Sequence, residues 1–388
     1  MINAKEALDI DTISMLHNKC HVLKLAQIRY KGDDIVNHAL DGKIDREKSW
    51  NKKQSNTIKA IEVYNKCYQP DGPINSEHTQ ELKCYLCKFE ASTLSVLKWH
   101  TKATHQEKTL NTVKEAAKKV ITNEEKSENK QKALSLIKQG KLIELAIQQN
   151  TDLTWKSYAL NLKKGTLKFI TNATIDCLPT NVNLVQWGKR MSDKCSNCGA
   201  RQTLAHTLNN CKTSLEQGRW TFRHDSIIQY IDKCLDKSKY EVYVDLDGSK
   251  FSESSTIPPQ YIVTTERPDI VIIDKKSKEI NIYELTCPFE TNIDKAHAAK
   301  LDKYNHFRSD IEDFSVNVEA FEIGSRGYVT PDNRKRIKQL HKYCKTTTRI
   351  KKFIENLSAI SVNCSYFIFL CRNDKSWPNP PLLSEVFR

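Results

Sequence analysis

Long apolar runs are scarce in this chain. The longest wholly apolar stretch near either end, Tyr366–Cys371, has six residues, against the roughly 20 needed to cross a bilayer. A cationic leader is also missing, since Met1 is followed by Glu6, Asp9 and Asp11. Both absences argue against a membrane partner and lead to a nuclear or cytoplasmic expectation. No internal repeat is visible beyond two unrelated Cys/His spacings. Acids are the minority among charged residues, 47 against 61 Lys and Arg, so the formal net charge is +14. A basic excess of this size points to a polyanion, because cations near a phosphate backbone gain free energy by releasing counterions.

The distribution of that charge is more telling than its sum. Residues 331–355 hold nine Lys or Arg against two acids, Asp332 and Glu355. Asn333–Leu357 is expected to form one helix, with Arg334, Lys335, Arg336, Lys338 and Lys342 along DNA. A merely solvated helix face has the same composition.

Thirteen cysteines without a secretory context read as thiols or metal ligands rather than as a disulfide framework. Cys84-x2-Cys87-x12-His100-x4-His105 has the ligand types and spacing of a two-Cys, two-His zinc finger. On its helix, Thr93, Val96 and Trp99 occupy the positions that face base edges in base-reading fingers, and none makes a bidentate base contact. Backbone or protein docking is the expected use. Cys195-x2-Cys198-x7-His206-x4-Cys211 is a second zinc candidate, in a segment with little apolar content of its own. Two Zn²⁺ sites are therefore expected.

Residues 1–79 carry no assignable pattern, 80–108 enclose the finger, 109–190 read as a helical linker, 191–215 enclose the second Cys/His motif, and 216–388 form the last domain. Trp155, Tyr158, Leu162, Leu167 and Phe169 are enough for packed helices between 151 and 190. Beyond Arg219 the texture changes. Trp220–Leu235 reads as an amphipathic helix, and Arg267–Ile273 and Glu279–Thr286 as strands joined by the polar turn 275–278. Asn292–Phe314 reads as a helix, Val318–Ile323 as a strand, and Tyr366–Cys371 as a final strand. That order predicts an α/β domain with a mixed sheet flanked by helices.

Arg267-Pro268-Asp269 opens the first strand of the hairpin and Glu284-Leu285-Thr286 closes the second, with fourteen residues between the acids. A hairpin with a short turn returns Glu284 to Asp269, where both carboxylates could share one hard cation such as Mg²⁺. This is the spatial logic of the PD-(D/E)xK nuclease core, except that Thr286 stands where Lys is expected. On the next helix Ile293, His297, Lys300, Tyr304, Phe307 and Ile311 form a stripe at three- and four-residue steps. Lys300 thus lies on a face otherwise made of core residues, with Lys303 as the alternative donor. Taken alone, Asp269 is equally a turn residue after Pro268, and Glu284 a solvent-facing strand carboxylate.

The combination is more specific than its parts. Gly165-Thr-Leu-Lys-Phe-Ile-Thr-Asn-Ala-Thr, Cys195…Cys198…His206…Cys211, Arg223-His224-Asp225, Arg267-Pro268-Asp269, Glu284-Leu-Thr-Cys-Pro-Phe289 and Lys300-x3-Tyr304 follow in that order. From about Thr154 onward the chain resembles the C-terminal part of non-long-terminal-repeat retrotransposon polyproteins that carry a restriction-like endonuclease. The likeness spans roughly 60% of the chain. It implies a Mg²⁺-dependent nuclease that nicks target DNA, with Asp269 and Glu284 as metal-binding acids and Lys300 and Tyr304 as their helix partners. It also implies Arg223 and His224 as part of an upstream motif placed on the nucleic acid. The Cys84–His105 finger resembles the DNA-binding finger of such elements. DNA is the implied partner, with element RNA and either a second copy of the chain or a separate reverse transcriptase as further candidates. About 90 residues separate finger and second motif, too few for a reverse transcriptase domain. An inactive, zinc-dependent DNA-binding or scaffold derivative is the competing expectation.

Overall fold

The structure is a computed structural model. It describes residues 139–246, 255–307, 314–347 and 349–383, together with scattered positions between Glu90 and Leu136. The chain divides into two units near residue 133, and the C-terminal unit holds the sheet and its helices.

At its centre is a four-stranded sheet of β1 (Glu241–Val244), β2 (Ile270–Asp274), β3 (Glu279–Thr286) and β4 (Ser315–Glu322), in that spatial order. The first three strands run antiparallel, and β4 lies parallel to β3. A parallel neighbour requires a crossover. Helix Ile293–Tyr304 supplies it. The mixed sheet flanked by helices is the class expected from sequence, although β1 was not anticipated.

β2 and β3 are buried on both faces, which explains the near-continuous apolar run Ile270–Ile273. Ile270, Ile272, Tyr283 and Leu285 pack with Ile227, Ile231, Phe353, Leu357 and Ile360. Val271, Ile273, Ile280 and Ile282 face the opposite layer, with Tyr304, Phe307, Val316 and Val318. The polar turn 275–278 is where the sequence placed it, and Lys278 takes φ 56° there.

Numbered along the chain, the helices are α1 (Lys141–Gln148), α2 (Lys164–Thr174), α3 (Asn181–Gln186), α4 (Lys212–Glu216), α5 (Arg219–Cys234), α6 (Ile293–Tyr304), α7 (Pro331–Leu340) and α8 (Ile350–Leu370). The segment expected as a linker shares a core with the sheet domain. Trp155, Tyr158, Phe169 and Ile170 pack against Ala359, Val362, Ile368 and Phe369 of α8, and Tyr158 meets Ser358 Oγ at 2.6 Å.

Two expectations are corrected. Tyr366–Cys371 is no strand: Tyr366–Leu370 closes the 21-residue α8 and Cys371 caps it. Six apolar residues cannot separate a buried strand from a buried helix end, and the helical period is visible only from Phe353 onward, through Leu357, Ile360, Cys364 and Ile368. By length and composition α8 could cross a membrane, yet it is mostly buried inside this fold. The basic helix expected over Asn333–Leu357 is also broken. α7 begins at Pro331, capped by Thr330 Oγ1 accepting the Asn333 N–H at 3.1 Å, and ends at Leu340. Cys344 then makes an isolated β-bridge with Leu235 before α8 starts.

The loop after β4 lies directly on α8. Ser358 donates to the Gly327 carbonyl, and Ser361 to the Gly324 carbonyl at 2.8 Å. Gly327 has φ +75°, and a Cβ there would stand 2.6 Å from Val362. Gly327→Ala is therefore expected to destabilise the protein by about 2 kcal/mol or more, through backbone strain and overpacking together, read as a lowered melting temperature.

Candidate functional site

Pro268 cannot donate to a sheet ladder, and β2 accordingly starts at Ile270 rather than at Arg267 as the sequence suggested. Asp269 lies just before the ladder, beside the Ile270–Tyr283 pair and hence opposite Glu284. Each carboxylate accepts a main-chain N–H from the other's strand. Glu284 Oε1 receives Asp269 N–H at 3.0 Å, and Asp269 Oδ2 receives Leu285 N–H at 2.7 Å. The two side chains, 7% and 1% exposed, therefore converge as the hairpin argument requires.

Cations meet this pair from two helices. Lys300 of α6 donates to Glu284 Oε2 at 2.7 Å. His224 of α5 places Nε2 3.2 Å from Asp269 Oδ2 and Nδ1 2.9 Å from Asp225. Lys303, the alternative donor, instead pairs with Glu266 at 3.2 Å and with the Tyr304 hydroxyl at 2.8 Å. Tyr304 is buried and donates to the Arg267 carbonyl at 3.3 Å, bracing the entry to β2. Arg267 itself pairs with Asp245.

The electrostatics push the two acids apart. Burial, then the charge of Asp269, raises Glu284 to about 7 despite Lys300. Burial would raise Asp269 too, but the charge and hydrogen bond of His224, followed by Lys300 and the Leu285 N–H, hold it below its ordinary value. His224 is pushed well above the ordinary imidazole value, because Asp269 and Asp225 outweigh its burial. Lys300 is raised as well: Asp269 and Glu284 overcome desolvation. Two facing acids with opposed shifts are a frequent mark of functional sites.

Two facing carboxylates are the kind of oxygen donors a hard cation takes. Glu284 is met by Lys300 at Oε2 and also interacts with the Tyr304 hydroxyl. A third acid stands nearby that sequence reasoning missed. Glu322, fully buried, accepts from or pairs with His297 Nδ1 at 3.1 Å and lies opposite Thr286. An acid set between the apolar Phe321 and Ile323 was the available signal.

The Cys/His motif at 195–211 comes together as its spacing predicts. One ligand atom each from Cys195, Cys198, His206 and Cys211 lies within 4.8 Å of the others, a cluster that could hold a metal ion such as zinc. Cys211 and Cys198 sulfurs are 3.8 Å apart, close to the edge of about 3.8 Å expected for a tetrahedron with Zn–S bonds of about 2.3 Å. The knuckle is shaped by Gly199, at φ +74°, whose N–H returns to the Cys195 carbonyl at 2.9 Å. Burial lowers His206, favouring the neutral imidazole a metal requires. Cys198→Ser is expected to remove one equivalent of bound zinc, counted by metal analysis of the purified chain. Of the other predicted zinc ligands, His100 is buried and 3.4 Å from Thr104 Oγ1, while Cys84, Cys87 and His105 lie outside the described residues.

The residues expected on nucleic acid divide. Arg223 is 1% exposed and directs its guanidinium at Ser365 Oγ and the carbonyls of Leu208 and Cys287. No phosphate can reach it, so its predicted contact is corrected. His224 faces Asp269 rather than open solvent. Arg334 is half-buried against Thr154 Oγ1 at 3.0 Å, and Arg336 is drawn to Glu319 at 3.2 Å. Lys335, Lys338 and Lys342 are exposed, Lys335 with Asp332 at 2.9 Å.

No protein-family model matches the chain, and no curated protein matches it in sequence.

Proposed function

We infer that the chain is a metal-dependent DNA endonuclease of the restriction-like class, related to those of non-long-terminal-repeat retrotransposons. The observation that carries this reading is the convergence of Asp269, Glu284 and Lys300 at one end of the β2–β3 hairpin. A sheet edged by a parallel β4, with the lysine delivered from the crossover helix, suits a restriction-endonuclease-like fold in which Lys300 replaces the lysine that Thr286 displaces.

A Mg²⁺ ion held by Asp269 and Glu284 would polarise the scissile phosphate and lower the pKa of an attacking water. Lys300 has two roles: it balances Glu284 before substrate arrives and offers an ammonium to the charge that grows on the phosphate. His224 holds Asp269 in place against the Leu285 N–H. Tyr304 keeps Arg267 and the start of β2 fixed. The exposed Lys335, Lys338 and Lys342 give a backbone-reading surface that salt should weaken.

Supercoiled plasmid incubated with the purified chain should be nicked in Mg²⁺ and left intact in EDTA. Absence of cleavage in every divalent metal, or cleavage that persists without Asp269, overturns the reading. Salt-sensitive DNA retention without any cut would favour the scaffold alternative, in which the fold outlives turnover.

A further inference from the structure

The Cys/His cluster and the acid pair are joined at one atom. Cys287, three residues beyond Glu284, turns its carbonyl oxygen toward the cluster and accepts two hydrogen bonds there. Asn209 Nδ2 donates at 2.7 Å and Arg223 Nη2 at 3.0 Å. Asn209 sits in the wide π-helical turn His206–Asn210, which two of the four candidate ligands, His206 and Cys211, enclose. Turns of this kind are often functional. Arg223 Nη2 also reaches the Leu208 carbonyl of the same turn at 3.2 Å, while Nη1 donates to Ser365 Oγ of α8 at 3.0 Å.

The connection continues on both sides of that carbonyl. Leu285, two residues before Cys287, supplies the N–H that caps Asp269 Oδ2 at 2.7 Å. His224, the next residue after Arg223, lies 3.2 Å from the same oxygen. Arg223 is an expensive strut. Its guanidinium is buried against neutral oxygens and meets no carboxylate among the described residues, an arrangement tolerated only where the acceptors are held in place.

We propose that Arg223 and Asn209 are positioning residues that transmit the geometry of the metal-closed Cys/His turn to the end of β3. The module's task is then to hold the acid pair in register. Leu204 and Leu208 anchor one side of this segment in the core, and metal binding at Cys195, Cys198, His206 and Cys211 would close the other. Loss of that closure would loosen Asn209 and the contacts of Arg223 with the turn, and free the Leu285–Cys287 backbone. The catalytic part of this inference rests on Asp269 and Glu284 being the reacting acids. The coupling itself concerns the β3 backbone and can be measured without catalysis.

The test uses the full chain as wild type, Asn209→Ala, Arg223→Lys and Cys198→Ser. It measures hydrogen exchange of the Leu285–Cys287 amides, zinc content, DNA affinity and nicking kcat. Lysine offers one ammonium where the guanidinium serves three acceptors. Asn209→Ala removes one hydrogen bond from a half-buried side chain and leaves every sulfur in place, so it decides the matter if Arg223→Lys does not fold. Expected for Asn209→Ala are wild-type zinc content, DNA affinity within twofold, exchange at 285–287 at least tenfold faster, and kcat at least tenfold lower. Cys198→Ser should reproduce the faster exchange with one zinc missing. Wild-type exchange at 285–287 in both Asn209→Ala and Cys198→Ser overturns the proposal. Faster exchange with no nicking by any protein, wild type included, upholds the strut and removes the catalytic reading instead.

Discussion

Asp269→Asn and Glu284→Gln are each expected to abolish plasmid nicking, by about 10³-fold or more, while shifting stability in opposite directions. The difference follows from their ionisation. Asp269 sits below its ordinary value of 3.8 because His224 and its other partners outweigh burial. Its charge therefore contributes stability above that ordinary value, and the contribution is lost as pH falls through the lower folded value. Asp269→Asn removes that contribution and lowers the melting temperature at pH 8. Glu284 sits at about 7, raised from 4.5 by burial and by Asp269. Between those two values the unfolded chain releases a proton that the folded one keeps, so stability drains away as pH rises and stays lower above about 7. Glu284→Gln escapes this loss. In EDTA it should melt like wild type near pH 4 and at a higher temperature at pH 8. A variant that is more stable and inactive is the pattern of a residue kept for chemistry. Melting curves at both pH values, run beside the nicking assay, check it. Destabilisation of Glu284→Gln at pH 8 would mean that the acid is a structural partner of Lys300 and little more.

The hairpin was legible because its signals are local. Apolar β-branched runs, a four-residue polar turn and fourteen residues between acids leave few ways to fold, and β3 falls on Glu279–Thr286 as expected. The Cys195–Cys211 cluster was legible for the same reason, since ligand spacing is a local constraint. What stayed hidden depends on distant partners. β1 has only four residues, Glu-Val-Tyr-Val, and becomes a strand by pairing with β2. The break after Leu340 follows from the bridge between Cys344 and Leu235, more than a hundred positions apart. His224 and Arg223 illustrate the limit most clearly. As neighbours in a basic motif they read as phosphate contacts, yet α5 is packed so that one touches Asp269 and the other is sealed beneath the Cys/His turn. Charge in a sequence does not reveal whether it meets solvent or a buried carbonyl.

The choice between the two lysines has the second large consequence. Lys300→Met should reduce nicking by about 10²- to 10³-fold, the scale of losing one charged group aimed at the transition state, whereas Lys303→Met should stay within about threefold. Lys300 is partly buried and bonded to a carboxylate that is 1% exposed. Lys303 is half-exposed, and its ion pair with Glu266 is of the surface kind, worth little in water. Loss of rate in Lys300→Met could arise from a disturbed fold, because Glu284 would then be buried beside Asp269 without its cation. The double variant Lys300→Met/Glu284→Gln separates the two causes. Removing the stranded charge should restore the melting temperature to near wild type at pH 8 while nicking stays absent. DNA affinity should be unchanged throughout, since neither residue belongs to the exposed basic surface of α7. Equal rates for Lys300→Met and wild type would transfer the lysine's role elsewhere, and a loss confined to Lys303→Met would assign it to the neighbour.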